Sequence, residues 1–473
     1  MTGEERLPGL WDPRTRALTT GLVLTVTFVA SEALAVVTVM PVVARDLGGL
    51  RLYGWVFSAF LLSSIVGIVA AGRAADRRGP AAPFVAGVVL FGSGLAIAGL
   101  APSMAVLVAG RLLQGIGAGA VPSVAYVAIG RAFPGGLRAR MMAIMSTAWV
   151  APGLAGPAIS AEVAHVFGWR WVFLGLLPVV AVAAPIAVPA LVRLGPPGAG
   201  QAQQQAHRLT DALALAAAAT MLLAGLTLAG GSSALAAGGG LIAAGLVIAV
   251  PMLRRLLPAG TLTARPGLPA TILTRGLLTF AFFGADAYVT LALTAVRHRV
   301  PVVAGLAVTG ATLTWTAGAW VQARLSDSWE GRRLVRTGLV IILAGVAGMA
   351  LVLHPAVPWA VGLAAWSVAG LGMGLAYAPI SLMMLRQAPP GGEGRASASL
   401  NLADVLGSAV GIGVGGAAVA ATAGRDVQLG IAVAFAAAAA VGIAALAVTR
   451  RLPAGTSSAP PPLPEPVPAQ VPD

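Results

Sequence analysis

Fourteen apolar stretches follow one another along this chain, each near the length of about 20 residues that a helix needs to cross hydrocarbon. They fall at about 17–42, 54–72, 82–101, 104–129, 141–164, 171–192, 210–229, 234–253, 269–295, 302–323, 334–353, 358–384, 398–420 and 427–449. A soluble fold has nowhere to bury so much apolar surface. Hydrophobic residues make up 58% of 473, charged residues 10%, and the mean hydropathy is +0.88, which implies an all-α integral membrane protein. The seventh and eighth stretches are the weakest, being rich in Ala and Gly, and they flank the turn signal Gly230-Gly231-Ser232-Ser233. Without that hairpin the count would be twelve, with the same orientation for the rest.

The formal charge of +14 is carried by arginine alone, and the arginines are scattered through short loops rather than gathered on one basic domain. That pattern argues against a nucleic-acid partner and for membrane topology. With the N-terminus placed inside, 22 arginines fall in inner loops and tails and six in outer loops. This asymmetry predicts a multi-pass protein of the cell (inner) membrane with both termini cytoplasmic. The first apolar run is too long for a cleavable signal peptide and lacks a convincing cleavage site. The absence of cysteine excludes disulfides and thiolate metal sites, and the four histidines lack metal-ligand spacing. No G-x-x-x-x-G-K-[ST] phosphate loop is present, so ATP is not the expected energy source and no cofactor is implied.

Three motifs interrupt the apolar pattern. Gly72-Arg73-Ala74-Ala75-Asp76-Arg77-Arg78-Gly79 reads as a tight loop at the membrane surface, since such charge cannot sit in hydrocarbon. Arg111 begins the run Arg111-Leu112-Leu113-Gln114-Gly115-Ile116-Gly117-Ala118-Gly119, where glycines permit close helix approach. Pro152-Gly153-Leu154-Ala155-Gly156-Pro157 implies a bend and a close-packing face. Together these resemble the loop between the second and third helices, the fourth-helix motif and the antiporter motif of the major facilitator superfamily, in its fourteen-helix drug–proton antiporter branch. Gly168-Trp169-Arg170-Trp171-Val172-Phe173 is similar to the start of the sixth helix in that branch and is also an interfacial aromatic anchor.

The resemblance implies a major facilitator fold: residues 17–193 as one six-helix half, 194–260 as a linker with two extra spans, and 261–451 as the second half. Residues 1–16 then form a cytoplasmic segment and 452–473 a disordered Pro-rich tail. It also implies that Gly72, Asp76, Arg77 and Gly79 form a conformational latch, that Arg111 takes part in proton coupling, and that Gly153, Gly156 and Pro157 mark an exporter. The chain departs from the family pattern at Pro80-Ala81, where a basic pair is usual, and at Pro152 and Ser160-Ala161, where glycines are usual.

Acids inside the spans are the candidates for chemistry, because a carboxylate in hydrocarbon needs a proton or a partner. Glu32 lies near mid-depth in the first stretch and Asp286 at similar depth in the ninth, each four residues after a phenylalanine, Phe28 and Phe282. Arg111 runs toward Glu32 from the opposite side, so the two can meet, either as a proton-driven switch or as a fixed ion pair. Glu162 nearer one end and Asp404 in the inner third are further coupling or substrate candidates. Tyr126, Trp149, Phe280, Phe283, Tyr288, Trp315, Trp320, Trp366 and Tyr377 either line a cavity or face lipid and packing partners.

The sequence thus implies a monomeric transporter, not an enzyme. Its expected action is export of lipophilic or cationic small molecules such as drugs, driven by a proton gradient through alternating access. A lipid or lipophilic-metabolite exporter of the same fold is the second reading; a nutrient importer and a non-transporting membrane sensor stand behind it.

Overall fold

A computed structural model describes residues 11–12, 15–133, 135–148, 150–195, 206–230, 234–326, 328–389 and 392–454. The helices are α1 (Arg16–Asp46), α2 (Tyr53–Arg78), α3 (Ala81–Gly99), α4 (Met104–Ala132), α5 (Gly135–Thr147), α6 (Val150–Val166), α7 (Arg170–Leu174) and α8 (Leu177–Arg193). They continue as α9 (Ala206–Ala229), α10 (Leu235–Leu256), α11 (Leu268–Leu291), α12 (Pro301–Leu325), α13 (Gly331–Val352), α14 (Ala360–Gln387), α15 (Glu393–Thr422) and α16 (Val427–Val448). No strand occurs among the described residues. Among the described residues, thirteen helical segments are long and apolar enough to span a membrane, α7 with α8 counting as one. The fifth expected stretch is filled by α5 and α6, which part near Ala148 just before Pro152 and Gly153. Trp149, most of the expected hairpin turn and most of the Pro-rich tail lie outside the described residues.

One expectation is corrected. The stretch from Gly72 to Arg78 is not a loop but the last turns of α2, and the chain turns only at Gly79. Ala74 and Ala75 favour helix, and no breaker intervenes before Gly79, whose φ of 84° admits glycine at no steric cost. Arg77 and Arg78 then stand in the last turn, where cations complement the carbonyl end of the helix. Pro80 follows as the N-cap position of α3.

Helices pack here through small residues, because lipid tails are as apolar as the side chains they would replace. The glycines of α4 divide between two neighbours. A Cβ on Gly115 or Gly119 would stand 2.2 Å from the carbonyl oxygen of Phe60 and 2.1 Å from that of Ser64, both on α2. One on Gly110 or Gly117 would press on Gly94 and Gly87 of α3, at 2.9 and 2.3 Å from their oxygens. Between α11 and α15, a Cβ on Gly407 would lie 2.1 Å from the oxygen of Gly276.

Helices α1 to α8 form one packed group and α11 to α16 another. The groups meet through α2 on α15, α6 on α12, and α1 on α11 and α12. Helix order puts the N-terminus of α1 and the C-terminus of α2 at one end of the bundle, which is also where most arginines lie. The hydrogen bonds between the groups lie away from that end. Tyr53 Oη donates to the Ala287 carbonyl at 3.1 Å, Thr290 Oγ1 to that of Val37 at 3.0 Å, and Ser58 Oγ to that of Ala409 at 2.9 Å. Gly54 and Gly416 touch backbone to backbone at the same end, where an added Cβ would come within 2.6 Å of the opposing Cα.

The pair α9 and α10 forms a hairpin in which Arg255 Nη1 meets Asp211 Oδ1 at 3.6 Å. Only α9 of the two packs closely on the rest, lying against both α2 and α15. Trp55 Nε1 donates to Thr227 Oγ1 at 3.3 Å, and Leu223 packs on Leu62, Ile65 and Ala409.

The Gly54–Gly416 contact yields a test. Gly54→Val overpacks the closed end at a cost of order 1–3 kcal/mol. In a chain without native cysteines, a single cysteine at Val37 then becomes accessible to an impermeant maleimide severalfold faster. Unchanged labelling would mean that the two groups do not close on each other there.

Candidate functional site

In the N-terminal group, α1 and α4 bring together the two charges that the sequence placed at comparable depth. Glu32 and Arg111 are 1% and 2% exposed and form an ion pair through Oε1 and Nη1. Arg111 is held further by Gln114 Oε1, which accepts from Nη1 at 2.8 Å, and by the Val56 carbonyl of α2, which accepts from Nε at 3.0 Å. Its guanidinium also lies 4.1 Å over the Phe60 ring. Arg111 is thus anchored by a backbone carbonyl and also paired with an acid. Glu32 Oε2 and Gln114 Nε2 are left buried without a partner among the described residues.

The C-terminal group repeats the geometry with one change. Asp286 on α11 accepts a hydrogen bond at 2.8 Å from Trp366 Nε1 on α14. Helix α14 is the fourth span of its group, as α4 is of the other, and Trp366 stands near the place of Arg111. The acid is thus met by a neutral indole and makes no ion pair with a described residue. Ring contacts run from there in a continuous row. Phe282 stacks on Trp366 at 5.1 Å, Trp315 meets Phe282 edge-on at 5.6 Å, and Tyr377 meets Trp315 at 5.5 Å. At the far end of the row Tyr377 Oη donates to Asp404 Oδ2 at 2.6 Å. Asp286, Trp315, Tyr377 and Asp404 are all partly exposed, so this row presents aromatic faces with a carboxylate at each end.

The remaining candidates separate from these centres. Glu162 is exposed on α6 without an ion pair to any described residue, and its neighbours Ile159 and Val163 line a groove between α1, α6 and α7. That groove holds about 640 Å³ and is mostly apolar, with Thr27, Ser31 and Ser160 as its polar points. Gly153 packs against Thr312 of α12, where a Cβ would approach to 2.3 Å, and the Pro157 carbonyl meets Gly305 of the same helix. Gly156 is open and lines the groove instead. Gly72 has only ordinary contact with Ser123. Asp76 is half-buried and makes no ion pair with a described residue, while Arg77 is exposed. Tyr126 and Trp320 are exposed at 51% and 68% and stand apart from the ring row. Trp169 Nε1 and Arg170 Nη1 both donate to Asp46 Oδ2, at 2.8 and 3.2 Å, which ties the start of α7 to the end of α1.

Arg275, which no sequence motif singles out, is buried in α11 at 2% exposure. Its guanidinium covers the Tyr377 ring at 3.5 Å, and Nη2 donates to Ser381 Oγ. The missed signal was available. An arginine seven residues into an apolar helix called for a partner just as Arg111 did.

The sequence profile of the Major Facilitator Superfamily matches residues 20–412. The chain belongs to that superfamily. It is a multi-pass membrane protein of a transporter family, not an enzyme. Over 430 residues it is 29% identical to a probable multidrug-efflux transporter of Mycobacterium tuberculosis, covering 87% of this chain and 90% of the relative. The multidrug transporter protein MdtP of Bacillus subtilis is 35% identical over 162 residues, which is 34% of this chain and 30% of that protein. Among solved structures, a peptide-transporter-family (POT) protein bound to 5-aminolevulinic acid superposes with a TM-score of 0.66 at 12% identity, over 94% of this chain and 97% of that one. The xylose transporter XylE of E. coli superposes with a TM-score of 0.59 at 14% identity, over 91% and 96%. These superpositions bear on the fold alone.

The ion pair makes its own prediction. Removing one partner of a buried pair strands a charge and costs about 3–5 kcal/mol, whereas removing both is far milder. Arg111→Gln should therefore lower the unfolding midpoint in detergent markedly. Adding Glu32→Gln should restore most of the loss, and an additive double variant would refute the pairing.

Proposed function

We propose that the protein is a proton-coupled exporter of lipophilic or cationic small molecules, working by alternating access between the two helix groups as six-helix halves. One observation carries the reading. Asp286 is a carboxylate within the spanning region that faces a neutral donor rather than a cation, at the end of a row of aromatic rings. A group so placed needs a proton or a cationic ligand to complete it, and aromatic faces attract cations and flat apolar rings. Binding either one at a time makes exchange possible: a cationic drug displaces the proton, and the proton displaces the drug. Multidrug-efflux relatives over nearly the full chain support the same substrate class.

Glu32 and Arg111 then act as the partner switch in the other half. A proton on Glu32 releases Arg111 from its ion pair, leaving it on Gln114, the Val56 carbonyl and the Phe60 ring. Alternating access follows from how the halves meet. With the arginine-rich end taken as cytoplasmic by the positive-inside rule, contacts among Tyr53, Thr290, Gly54 and Gly416 close the outer side, and the arrangement is inward-facing. Asp76, free of an ion pair with any described residue, is the latch in its released state, to be engaged with Gly72, Arg77 and Gly79 when the inner side closes. Gly153 and Pro157 form the sliding contact of α6 on α12. The protein sits in the cell membrane as a monomer with both termini inside.

The apolar groove between α1, α6 and α7 favours a second reading, in which the cargo is a lipid whose acyl chain rides along the surface of the N-terminal half. An altered outer-leaflet lipid composition in a deletion strain would select it over drug export.

The main reading is tested in proteoliposomes with an imposed proton gradient and tetraphenylphosphonium as the lipophilic cation. Wild type should exchange the cation for protons. Asp286→Asn should lose gradient-driven movement while still equilibrating the cation, and Glu32→Gln should slow it and weaken its dependence on the gradient. Undiminished transport and coupling in both variants would sink the assignment.

A further inference from the structure

Arg275 is the least accounted-for charge in the molecule. It is buried at 2% exposure, and its Nε and Nη1 have no hydrogen-bond partner among the described residues. Ser381 Oγ takes only Nη2, and the Tyr377 ring covers the face of the guanidinium. Asp404 lies near enough to act on Arg275 electrostatically but makes no ion pair with it, and its Oδ2 accepts from the Tyr377 hydroxyl. An arginine has five N–H donors in a planar fork, and its outer edge matches the two oxygens of a carboxylate. Leaving buried donors unmade is expensive, so Nε and Nη1, which face different edges of the guanidinium, call for an acceptor from outside.

The setting is a built site rather than a stray charge. The Tyr377 ring fixes the guanidinium plane, Ser381 fixes its rotation, and the partly exposed Tyr377, Ser381 and Asp404 mark an approach. Along α11, Arg275 precedes Asp286 by eleven residues, roughly 16 Å at the helical rise. The aromatic row spans the interval, with a cation site at one end and an arginine beside an acid at the other.

We infer that Arg275 binds an oxyanion carried by the substrate, so that the transporter handles organic carboxylates and zwitterions as well as cations. The carboxylate sits on Nη1 at the outer edge of Arg275, the apolar body lies along Trp315 and Phe282, and Asp404 repels a second anion while accepting an ammonium group. This rests on the transport reading above but concerns a different end of the cavity wall and a different charge.

The test compares pyrenebutyrate with its neutral amide, which share one aromatic body and differ in charge, using the full-length protein in detergent and in proteoliposomes. Wild type should bind the carboxylate roughly tenfold or more tightly than the amide, the scale of a charge-assisted pair out of water. Arg275→Gln should bring that ratio to about one while tetraphenylphosphonium binding persists, which also reports that the variant is folded. Arg275→Lys should keep part of the preference, and Ser381→Ala should reduce it mildly. Equal binding of carboxylate and amide by wild type overturns the inference, as does an unchanged ratio in Arg275→Gln. If tetraphenylphosphonium neither binds nor moves while carboxylate discrimination follows Arg275, the cation reading fails and the anion site stands.

Discussion

A charge buried among apolar helices has to be answered within reach, and this rule sets the internal order of the molecule. Arg111 is answered by Glu32, Gln114, the Val56 carbonyl and a phenyl face. Those contacts fix α1, α2 and α4 relative to one another, with the glycines of α4 permitting the approach. Asp286 is answered by an indole alone. The two groups thus share a scaffold and differ in charge balance, the acid of one being paired with an arginine and that of the other with an indole.

Much of this was legible in the residues. Spans show themselves because hydrocarbon demands continuous apolar length, and most helix ends fall within a few residues of the expected ones. Glu32 and Arg111 could be paired because opposite helix directions bring residues at equal depth together. The helical course of Gly72 to Arg78 was hidden, because charge signals an interface without saying whether the backbone there is coiled or free. The break near Ala148 was hidden for a related reason, since Pro and Gly report that a helix bends but not where it stops.

The aromatic row was the least legible part. Nine rings were candidates, and sequence holds no record of which face each presents. Trp366 is distinguished only by meeting Asp286, and Tyr377 only by lying under Arg275 and beside Asp404, three residues from three different helices. Long-range side-chain geometry of this kind follows from how α11, α14 and α15 pack, which no local pattern encodes. Arg275 belongs to none of the motifs, so nothing but its position inside an apolar stretch marks it.

The extra hairpin has a mechanical meaning. Helix α9 lies on α2 and α15 together, so it straddles the seam along which the halves would rock. A body resting on both sides of a hinge cannot stay bonded to both through a full swing. If the halves rock as proposed, either its bond from Trp55 to Thr227 or its packing against Ala409 and Gly413 has to slip in each cycle. It also walls off that seam from the surrounding lipid. The opposite seam, where α6 packs on α12, has no such cover among the described residues, so the two sides of a two-fold arrangement are unlike.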